Sequence, residues 1–284
     1  MKLLSFKVED SQRFGAWVEG GVVDLKQRLH GQFADLVSVL RADALPQLSA
    51  ALKDAKPDFT PEQITFLPVI PQPPKILCIG INYEEHRAET GRDPTLKPPV
   101  FARFSNSQVA HQGVIPLPPE SEKLDYEGEI AVIIGKAGRR IPLDRVWAHI
   151  AGYAPYNDAS VRDWQGHTQP WTPGKNFPHT GGFGPWMSTR DEFVDNPELH
   201  LCTRLNGVEV QHATSRQMIF SIAEIITYCS TFTELEPGDV IATGTPGGVG
   251  ARRKPQLFMK DGDVVEVEIS EIGVLRNFIK KETD

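Results

Sequence analysis

Short apolar segments recur along most of the chain, and few of them have the spacing of an amphipathic helix. The strand candidates after residue 75 are ILCIGINY, PVFARFS, GEIAVIIG, HLCTRLNGVEV and DVVEVEISEIGVLRNFI. Helical spacing is found chiefly in VRDWQ, after Asp158, and between Arg216 and Phe232. Because regular helices do not separate the strands, the pattern disfavours a doubly wound fold and favours a mixed sandwich, roll or barrel.

The beginning of the chain has a pattern of its own. The segment from Arg13 to Leu25 reads as two short strands that turn at a Gly-Gly pair, and helical spacing broken at Pro46 follows. A proline-rich passage, Thr65 to Lys75, cannot continue a helix. We therefore predict a small N-terminal domain at residues 1–70 and a larger domain at 71–284.

One strand candidate carries two glutamates at its start. Since the side-chain period of a strand is two, Glu127 and Glu129 share a face with Ala131 and Ile133, and both faces of the strand become apolar. Such a strand is typically covered on both sides, where two like charges repel each other strongly. The pattern indicates a neutralising divalent cation, with solvated carboxylates at a frayed strand end as the alternative.

A third carboxylate, Asp158, lies where a helix N-cap is expected, with Arg162 and Gln165 on the same face. Capping plus a surface pair is the plain alternative. Together with Glu127 and Glu129, Asp158 would form a set of hard oxygen ligands. Such a set favours Mg²⁺ or Mn²⁺, is compatible with Ca²⁺ and disfavours Zn²⁺. Arg162 would then offer its guanidinium fork to a substrate carboxylate.

The segment NYEEHRAETG predicts a short helix with an acid–base pair. Asn82 can cap this helix and Gly91 can end it, which places His86 and Glu89 three residues apart on one face. A carboxylate on one imidazole nitrogen fixes the tautomer and leaves the other nitrogen free to take a proton. The alternative is an exposed helical pair without a catalytic role.

The glycine-rich run Gly244 to Gly250 lacks the residue order of a P-loop or a dinucleotide-binding fingerprint. Thr245 and backbone N–H groups such as that of Gly244 could meet an anionic substrate, and a plain turn is the alternative. Lys175 is a compact positive charge that, taken alone, reads as solvated.

Composition restricts the class of protein. A formal net charge of -7 and a pI near 5.7 argue against nucleic-acid binding, and 23 prolines with 24 glycines favour a turn-rich, sheet-rich fold. The first residues lack the apolar core of a signal peptide, and no apolar run is long enough to span a membrane, so we expect a cytoplasmic protein. Three widely spaced cysteines predict core residues rather than disulfides.

Taken together, these motifs resemble the fumarylacetoacetate hydrolase family. The order is distinctive and covers about residues 75 to 280: NYEEHRAE, DYEGEIAVIIGK, GYAPYNDASVRDWQ, GKNF, NGVEVQ, LEPGDVIATGTPGGVG and DGDVVEVEISEIGVLRN. The resemblance implies an α+β, mainly β fold, a mixed β-sandwich roll with a small N-terminal α/β domain, and a homodimer.

The resemblance also implies roles for individual residues. It implies metal ligands at Glu127, Glu129 and Asp158; a base dyad on a mobile lid at His86 and Glu89; and substrate-side positions at Lys175, Gly244, Thr245, Arg162 and Gln165, the last two contacting a 2-oxo acid as in the acylpyruvase-like branch. Arg103 stands where many relatives have lysine.

The implied function is a metal-dependent hydrolase that cleaves a carbon–carbon bond in a 1,3-diketo acid such as an acylpyruvate, in a setting of aromatic compound catabolism. His86, steadied by Glu89, would activate a water for attack on the carbonyl remote from the metal-chelated 2-oxo acid. The alternative is a decarboxylase or isomerase of oxaloacetate-like 2-oxo acids, and a further alternative is a non-catalytic cation-binding protein.

Overall fold

The computed structural model describes residues 1–282. Among these residues, strands form three sheets of twelve, five and two strands, and the helices are short. The predicted α+β, mainly β class is confirmed.

The strands are β1 (Lys2–Val8), β2 (Ser11–Val18), β3 (Gly21–Asp24), β4 (Thr65–Phe66), β5 (Ile76–Ile79), β6 (Val100–Ala102), β7 (Gln108–Val109), β8 (Val114–Leu117), β9 (Leu124–Asp125), β10 (Gly128–Ile134), β11 (Ile150–Asp158), β12 (Ser160–Val161), β13 (Gly181–Phe183), β14 (Met187–Thr189), β15 (His200–Leu205), β16 (Val208–Thr214), β17 (Val240–Ala242), β18 (Val264–Ile269) and β19 (Gly273–Lys281). The α-helices are α1 (Leu25–Arg28), α2 (Leu36–Arg41), α3 (Leu45–Leu52), α4 (Glu84–Thr90), α5 (Arg162–Gln165), α6 (Thr172–Lys175) and α7 (Ile222–Phe232).

The N-terminal strands continue the large sheet. The predicted turn at the Gly-Gly pair joins β2 to β3, and β1 lies between β2 and β14. The helical region predicted around Pro46 is two helices, α2 and α3, with Pro46 in the first turn of the second, where its missing N–H costs no helical hydrogen bond. The division into domains near residue 70 stays a prediction.

Strand β10 is covered on both faces, as its sequence predicts. All seven of its residues are buried. Ala131 and Ile133 pack into the cluster that contains the N-terminal helices, while Ile130, Val132 and Ile134 pack into the cluster around α7. The apolar strand therefore anchors the glutamates at its start between two packed layers.

The predictions for Asp158 and for the start of α7 are wrong. Asp158 is not a helix N-cap but the last residue of β11, a nine-residue buried strand whose Gly152 and Pro155 obscure its strand pattern. Helix α7 begins at Ile222 rather than near Arg216, because the Ser221 side chain and Glu224 form a capping box at its start.

The sheet topology brings several chain segments to one edge. Strand β10 is antiparallel to β11 and β17, and β17 is parallel to β5. The carboxyl ends of β5, β11 and β17 therefore lie beside the amino end of β10. No described helix combines the length and the apolarity needed to cross a lipid bilayer.

Candidate metal and acid–base site

The register of β10 and β11 brings three carboxylates together. The Asp158 backbone N–H donates to the Glu127 carbonyl oxygen over 2.8 Å, so these residues lie opposite each other across the two strands. Glu129 follows two residues later and shares the face of Glu127. Each side chain is buried and offers one oxygen, and the three oxygens lie within 4.8 Å of one another. We call Glu127, Glu129 and Asp158 the carboxylate cluster.

Lys175, at the end of α6, reaches into the carboxylate cluster. Its ammonium donates to Glu127 Oε2 over 2.6 Å and to Asp158 Oδ2 over 2.5 Å. The side chain is 2% exposed, so the expectation of a solvated lysine is wrong. Burial alone would lower the pKa of Lys175, but the charges of Asp158 and Glu127 raise it, and the group stays an ammonium.

The two glutamates have opposite pKa shifts. Burial would raise the pKa of Glu127, but the positive charges of Lys175 and Arg162 outweigh burial and lower it to about 2. Burial, together with repulsion from Asp158 and Glu127, raises the pKa of Glu129 well above its usual range. The carboxylate cluster is therefore short of positive charge on the side of Glu129.

Arg162 has one donor to spare. Its Nε donates to Asp125 Oδ2 over 2.8 Å, and its Nη1 donates to Glu127 Oε1 and to Gln165 Oε1. Its Nη2 is buried and has no hydrogen-bond partner among the described residues. Because Arg162 and Gln165 both line a cavity, this nitrogen is available to an anionic ligand.

Arg103 holds Asp158 in place. Its fully buried guanidinium donates to Asp158 Oδ1 over 2.5 Å, to Thr180 Oγ1 over 2.7 Å and to the Ala159 carbonyl oxygen over 3.1 Å. Arg103 does not line the cavity, and it contacts Oδ1 of the carboxylate whereas Lys175 contacts Oδ2. This contact gives Arg103 a positioning role that its sequence context did not reveal.

The predicted acid–base pair is formed. His86 Nδ1 lies 2.7 Å from Glu89 Oε1, and His86 is buried and lines the cavity. The carboxylate assigns the proton to Nδ1 and leaves Nε2 as the acceptor. Gly91 ends α4 in the left-handed conformation, as predicted, but Asn82 is not its cap: the Asn82 amide instead bridges the backbone of Phe220 and Thr243.

The glycine-rich run supports the site through its backbone. The Gly244 N–H donates to Glu129 Oε2 over 2.8 Å, the Gly248 N–H to Glu89 Oε2 over 2.9 Å, and the Gly250 N–H to Asp125 Oδ1 over 2.8 Å. Gly244 and Gly248 have positive φ, which other residues rarely adopt. One loop therefore orients a carboxylate of the cluster and the carboxylate of the dyad.

These side chains surround a single cavity of about 370 Å³. The predicted site residues that line it are His86, Glu127, Glu129, Asp158, Arg162, Gln165, Lys175 and Thr245. Thr245 is buried, and its hydroxyl donates to the Gly128 carbonyl oxygen over 2.9 Å. Glu89 and Gly244 stand one layer behind, where they contact the lining residues His86 and Glu129.

Sequence reasoning missed two further residues besides Arg103. Asp125 joins the glycine-rich run to Arg162. Gln211, on β16, accepts from the Gly128 N–H over 2.9 Å and donates to Thr245 Oγ1 over 2.8 Å. Both lie among other polar residues, in SEKLDYEGE and VEVQHAT, so the sequence carried no signal that singled them out.

The residues present fit a divalent cation. The ligand atoms are carboxylate oxygens, which hard cations prefer, and they converge in a buried place. The pKa of Glu129 is raised by burial and by repulsion from Asp158 and Glu127, and a cation would relieve that repulsion. The carboxylate cluster could therefore hold a metal ion, which the Lys175 ammonium only partly replaces.

Comparison with known proteins identifies the family. A family model described as the C-terminal domain of fumarylacetoacetate (FAA) hydrolase matches residues 75–280, so the chain belongs to the fumarylacetoacetate hydrolase family. The chain is 38% identical over 262 residues to a bovine (Bos taurus) protein, "Oxaloacetate tautomerase FAHD2A, mitochondrial", which covers 91% of this chain and 83% of the relative.

Two solved structures share the fold. Fumarylacetoacetate hydrolase (EaFAH) from the psychrophilic Exiguobacterium antarcticum is 30% identical, with a TM-score of 0.82 and coverage of 99% of this chain and 100% of that one. The 2-hydroxyhepta-2,4-diene-1,7-dioate isomerase from Mycobacterium marinum is 27% identical, with a TM-score of 0.76 and full coverage of both chains. Proteins with this fold are therefore named both as hydrolases and as isomerases, and the fold alone does not determine the reaction.

The comparisons correct the predicted reaction class. The bovine relative is named a tautomerase, which is an isomerase and not a hydrolase of carbon–carbon bonds. The prediction of a carbon–carbon hydrolase is therefore wrong, and the alternative of an enzyme for oxaloacetate-like 2-oxo acids is better supported. The cytoplasmic location and the homodimer stay predictions; the bovine relative is named mitochondrial.

Proposed function

We propose that the protein is a divalent-metal-dependent tautomerase that interconverts the keto and enol forms of an oxaloacetate-like 2-oxo acid. The observation that carries the proposal is the single cavity lined by His86, Lys175 and the carboxylate cluster. Such a cavity combines a base, an acid and a cation site, which keto–enol exchange requires. The bovine relative suggests the substrate class.

The carboxylate cluster is proposed to bind Mg²⁺ or Mn²⁺, since all its ligand atoms are hard oxygens. When bound, the ion supplies Lewis-acid polarisation of the 2-oxo group and so acidifies the neighbouring C3–H bond. Arg103 and Gly244 hold Asp158 and Glu129 in orientation for this purpose.

His86 is proposed as the base. With its Nδ1 proton directed to Glu89, the Nε2 lone pair takes the C3 proton of the keto form, and the electron pair of the C3–H bond becomes the C2–C3 double bond. The growing positive charge on the imidazole is stabilised by Glu89, whose second oxygen is fixed by the Gly248 N–H. The reverse step returns the proton to C3.

Lys175 is proposed as the acid at the oxygen. Its pKa is raised, so it is an ammonium before the reaction. It would give a proton to the C2 oxygen as the enol forms and take it back as the ketone returns. Each direction therefore moves one proton at carbon and one at oxygen. Arg162 Nη2 and Gln165 are proposed to hold a substrate carboxylate, because Nη2 has no partner among the described residues and both side chains line the cavity.

The test follows loss of the enol and formation of pyruvate at the same time. Metal-stripped protein is mixed with the enol form of oxaloacetate, with and without Mg²⁺ or Mn²⁺; enol absorbance reports tautomerisation, and a coupled dehydrogenase assay reports pyruvate. The ions without protein are the control. We expect metal-dependent loss of enol without extra pyruvate. Pyruvate formed in step with enol loss would identify a decarboxylase, and no acceleration would reject the proposal.

A further inference from the structure

A second group of metal-ligating side chains lies on the outer face of the five-stranded sheet. Cys202 on β15 pairs directly with His212 on β16, and Glu209 lies three residues before His212. Their ligand atoms lie within 4.8 Å of one another. None of the three lines the cavity of the proposed tautomerase site, so the group is independent of that site. We call it the hairpin triad.

A β-bulge creates the hairpin triad. In a regular strand, Glu209 and His212 would point to opposite faces, because they are an odd number of residues apart. The register of β15 and β16 shifts so that Thr203 pairs with Gln211 while Arg204 pairs with Glu209, which leaves Val210 as the extra residue. The shift turns Glu209 onto the face of Cys202 and His212.

The spacing within the triad matches a tetrahedral metal site. The Cys202 sulfur lies 3.4 Å from Glu209 Oε2, and His212 Nδ1 lies 3.6 Å from the same oxygen. A tetrahedral Zn²⁺ with ordinary bond lengths separates a carboxylate oxygen from a thiolate sulfur or an imidazole nitrogen by about 3.3 to 3.5 Å. Two of the three separations are therefore close to those of a bound ion, and the third, between the Cys202 sulfur and the His212 ring nitrogen, is within 4.8 Å.

The ligand atoms of the hairpin triad favour a different class of cation than those of the carboxylate cluster do. Thiolate, imidazole and carboxylate together suit Zn²⁺ and its neighbours, whereas an all-oxygen set suits Mg²⁺ or Mn²⁺. His212 and Glu209 side chains are each 57% exposed, so an ion can reach the triad from solvent. We propose that Cys202, Glu209 and His212 form a surface site for Zn²⁺ or a similar transition-metal ion, with a water molecule as the fourth ligand.

Two more carboxylates near the triad are already paired with arginines. Glu268 on β18 pairs with Cys202 from the other side and is held by Arg204 over 2.7 Å. Glu266, also on β18, pairs with Arg204 on β15. Glu266 is paired with Arg276 over 2.7 Å, so these ion pairs add little net charge around the triad. The three protein ligands leave one coordination position open to water, as in other three-ligand zinc sites.

The experiment uses Co²⁺ as a visible substitute for Zn²⁺ on the full, reduced chain. Only a thiolate ligand gives the sulfur-to-cobalt charge-transfer band, so ions in the all-oxygen cluster stay silent. We expect a saturable band equivalent to one ion per chain that Zn²⁺ abolishes. Cys202→Ser should remove the band, and His212→Ala should weaken Co²⁺ binding by more than the 10- to 100-fold that is typical of losing an outer-shell partner.

The matched control is His200→Ala, which removes a different exposed histidine, on the neighbouring strand β15, and should leave the band and the affinity unchanged. His212→Ala is a solvent-facing change, so a result for it does not depend on a disturbed core. Absence of the band, survival of the band in Cys202→Ser, or equal affinity in His212→Ala and the unaltered chain would each overturn the proposal. Failure of the tautomerase assay would not affect it.

Discussion

The two walls of the cavity are built very differently. The carboxylate cluster sits on two central strands, is at most 4% exposed, and is held by Lys175, Arg103, Arg162 and the Gly244 N–H. The dyad wall is His86, on the short helix α4, with Glu89 behind it; the Glu89 side chain is 21% exposed.

This difference separates two tasks. Charges that must stay close together despite repulsion need many fixed partners in a rigid sheet, because an unpaired buried charge is costly. A base that accepts and releases a proton needs one orienting partner and access to the substrate. The cluster wall should therefore decide whether an ion binds, and the dyad wall should decide how fast protons move.

The largest effect is expected for Glu129→Gln. The amide keeps an acceptor for the Gly244 N–H and resembles the protonated acid that the raised pKa favours, so the fold should persist. Loss of the negative charge removes a ligand, and Mg²⁺ or Mn²⁺ affinity should fall by more than about 100-fold. Calorimetric titration measures this, with exposed Glu122→Ala as the control. Unchanged affinity would exclude Glu129 as a ligand.

The next largest effect is expected for His86→Asn. Losing the base should lower kcat for enol–keto exchange by about 10²- to 10⁴-fold, because proton removal from C3 loses its acceptor. Metal affinity should stay within error, since His86 makes no hydrogen bond to the cluster among the described contacts. Stopped-flow absorbance and calorimetry on the same samples give both values; His200→Asn is the control. Equal losses of kcat and of metal affinity would show that the cluster and the dyad do not have separate tasks.

The sequence predicted the residues that carry the proposed chemistry better than the residues that hold them in position. The period of two in β10 was enough to place Glu127 and Glu129 on one face of a doubly covered strand, and i, i+3 spacing was enough to pair His86 with Glu89. These are local regularities that repeat within one element. They do not depend on knowing which segments meet.

The residues that hold the site in position do so through contacts between segments that are distant in sequence. Arg103 meets Asp158 across 55 positions, and Gln211 meets Gly128 across 83. Asp158 looked like a helix cap because Asp is favoured at helix N-caps. Its pairing with Gly181 on β13 and its hydrogen bond to the Glu127 carbonyl oxygen make it a strand end instead. Long-range pairing overrode a local preference, which no single segment could reveal.

The pH dependence of metal binding sharpens the comparison. A carboxyl with a raised pKa keeps its proton to higher pH, and a cation needs the carboxylate, so binding below that pKa must release a proton from Glu129. Affinity should therefore fall as pH falls, by up to about tenfold per pH unit. Calorimetry in buffers of different ionisation enthalpy counts the protons released. Uptake of protons, or none, would contradict the assignment.

The smallest effect is expected for Glu89→Ala. The imidazole remains, but it loses the partner that fixes its tautomer, so kcat should fall by about 10- to 100-fold, less than for His86→Asn. Glu85→Ala, an exposed glutamate on the same helix, is the matched control. Because Glu89 is proposed to act only through His86, the double variant should be no slower than His86→Asn alone. A double variant that is slower by the product of both factors would show that Glu89 acts by a route of its own.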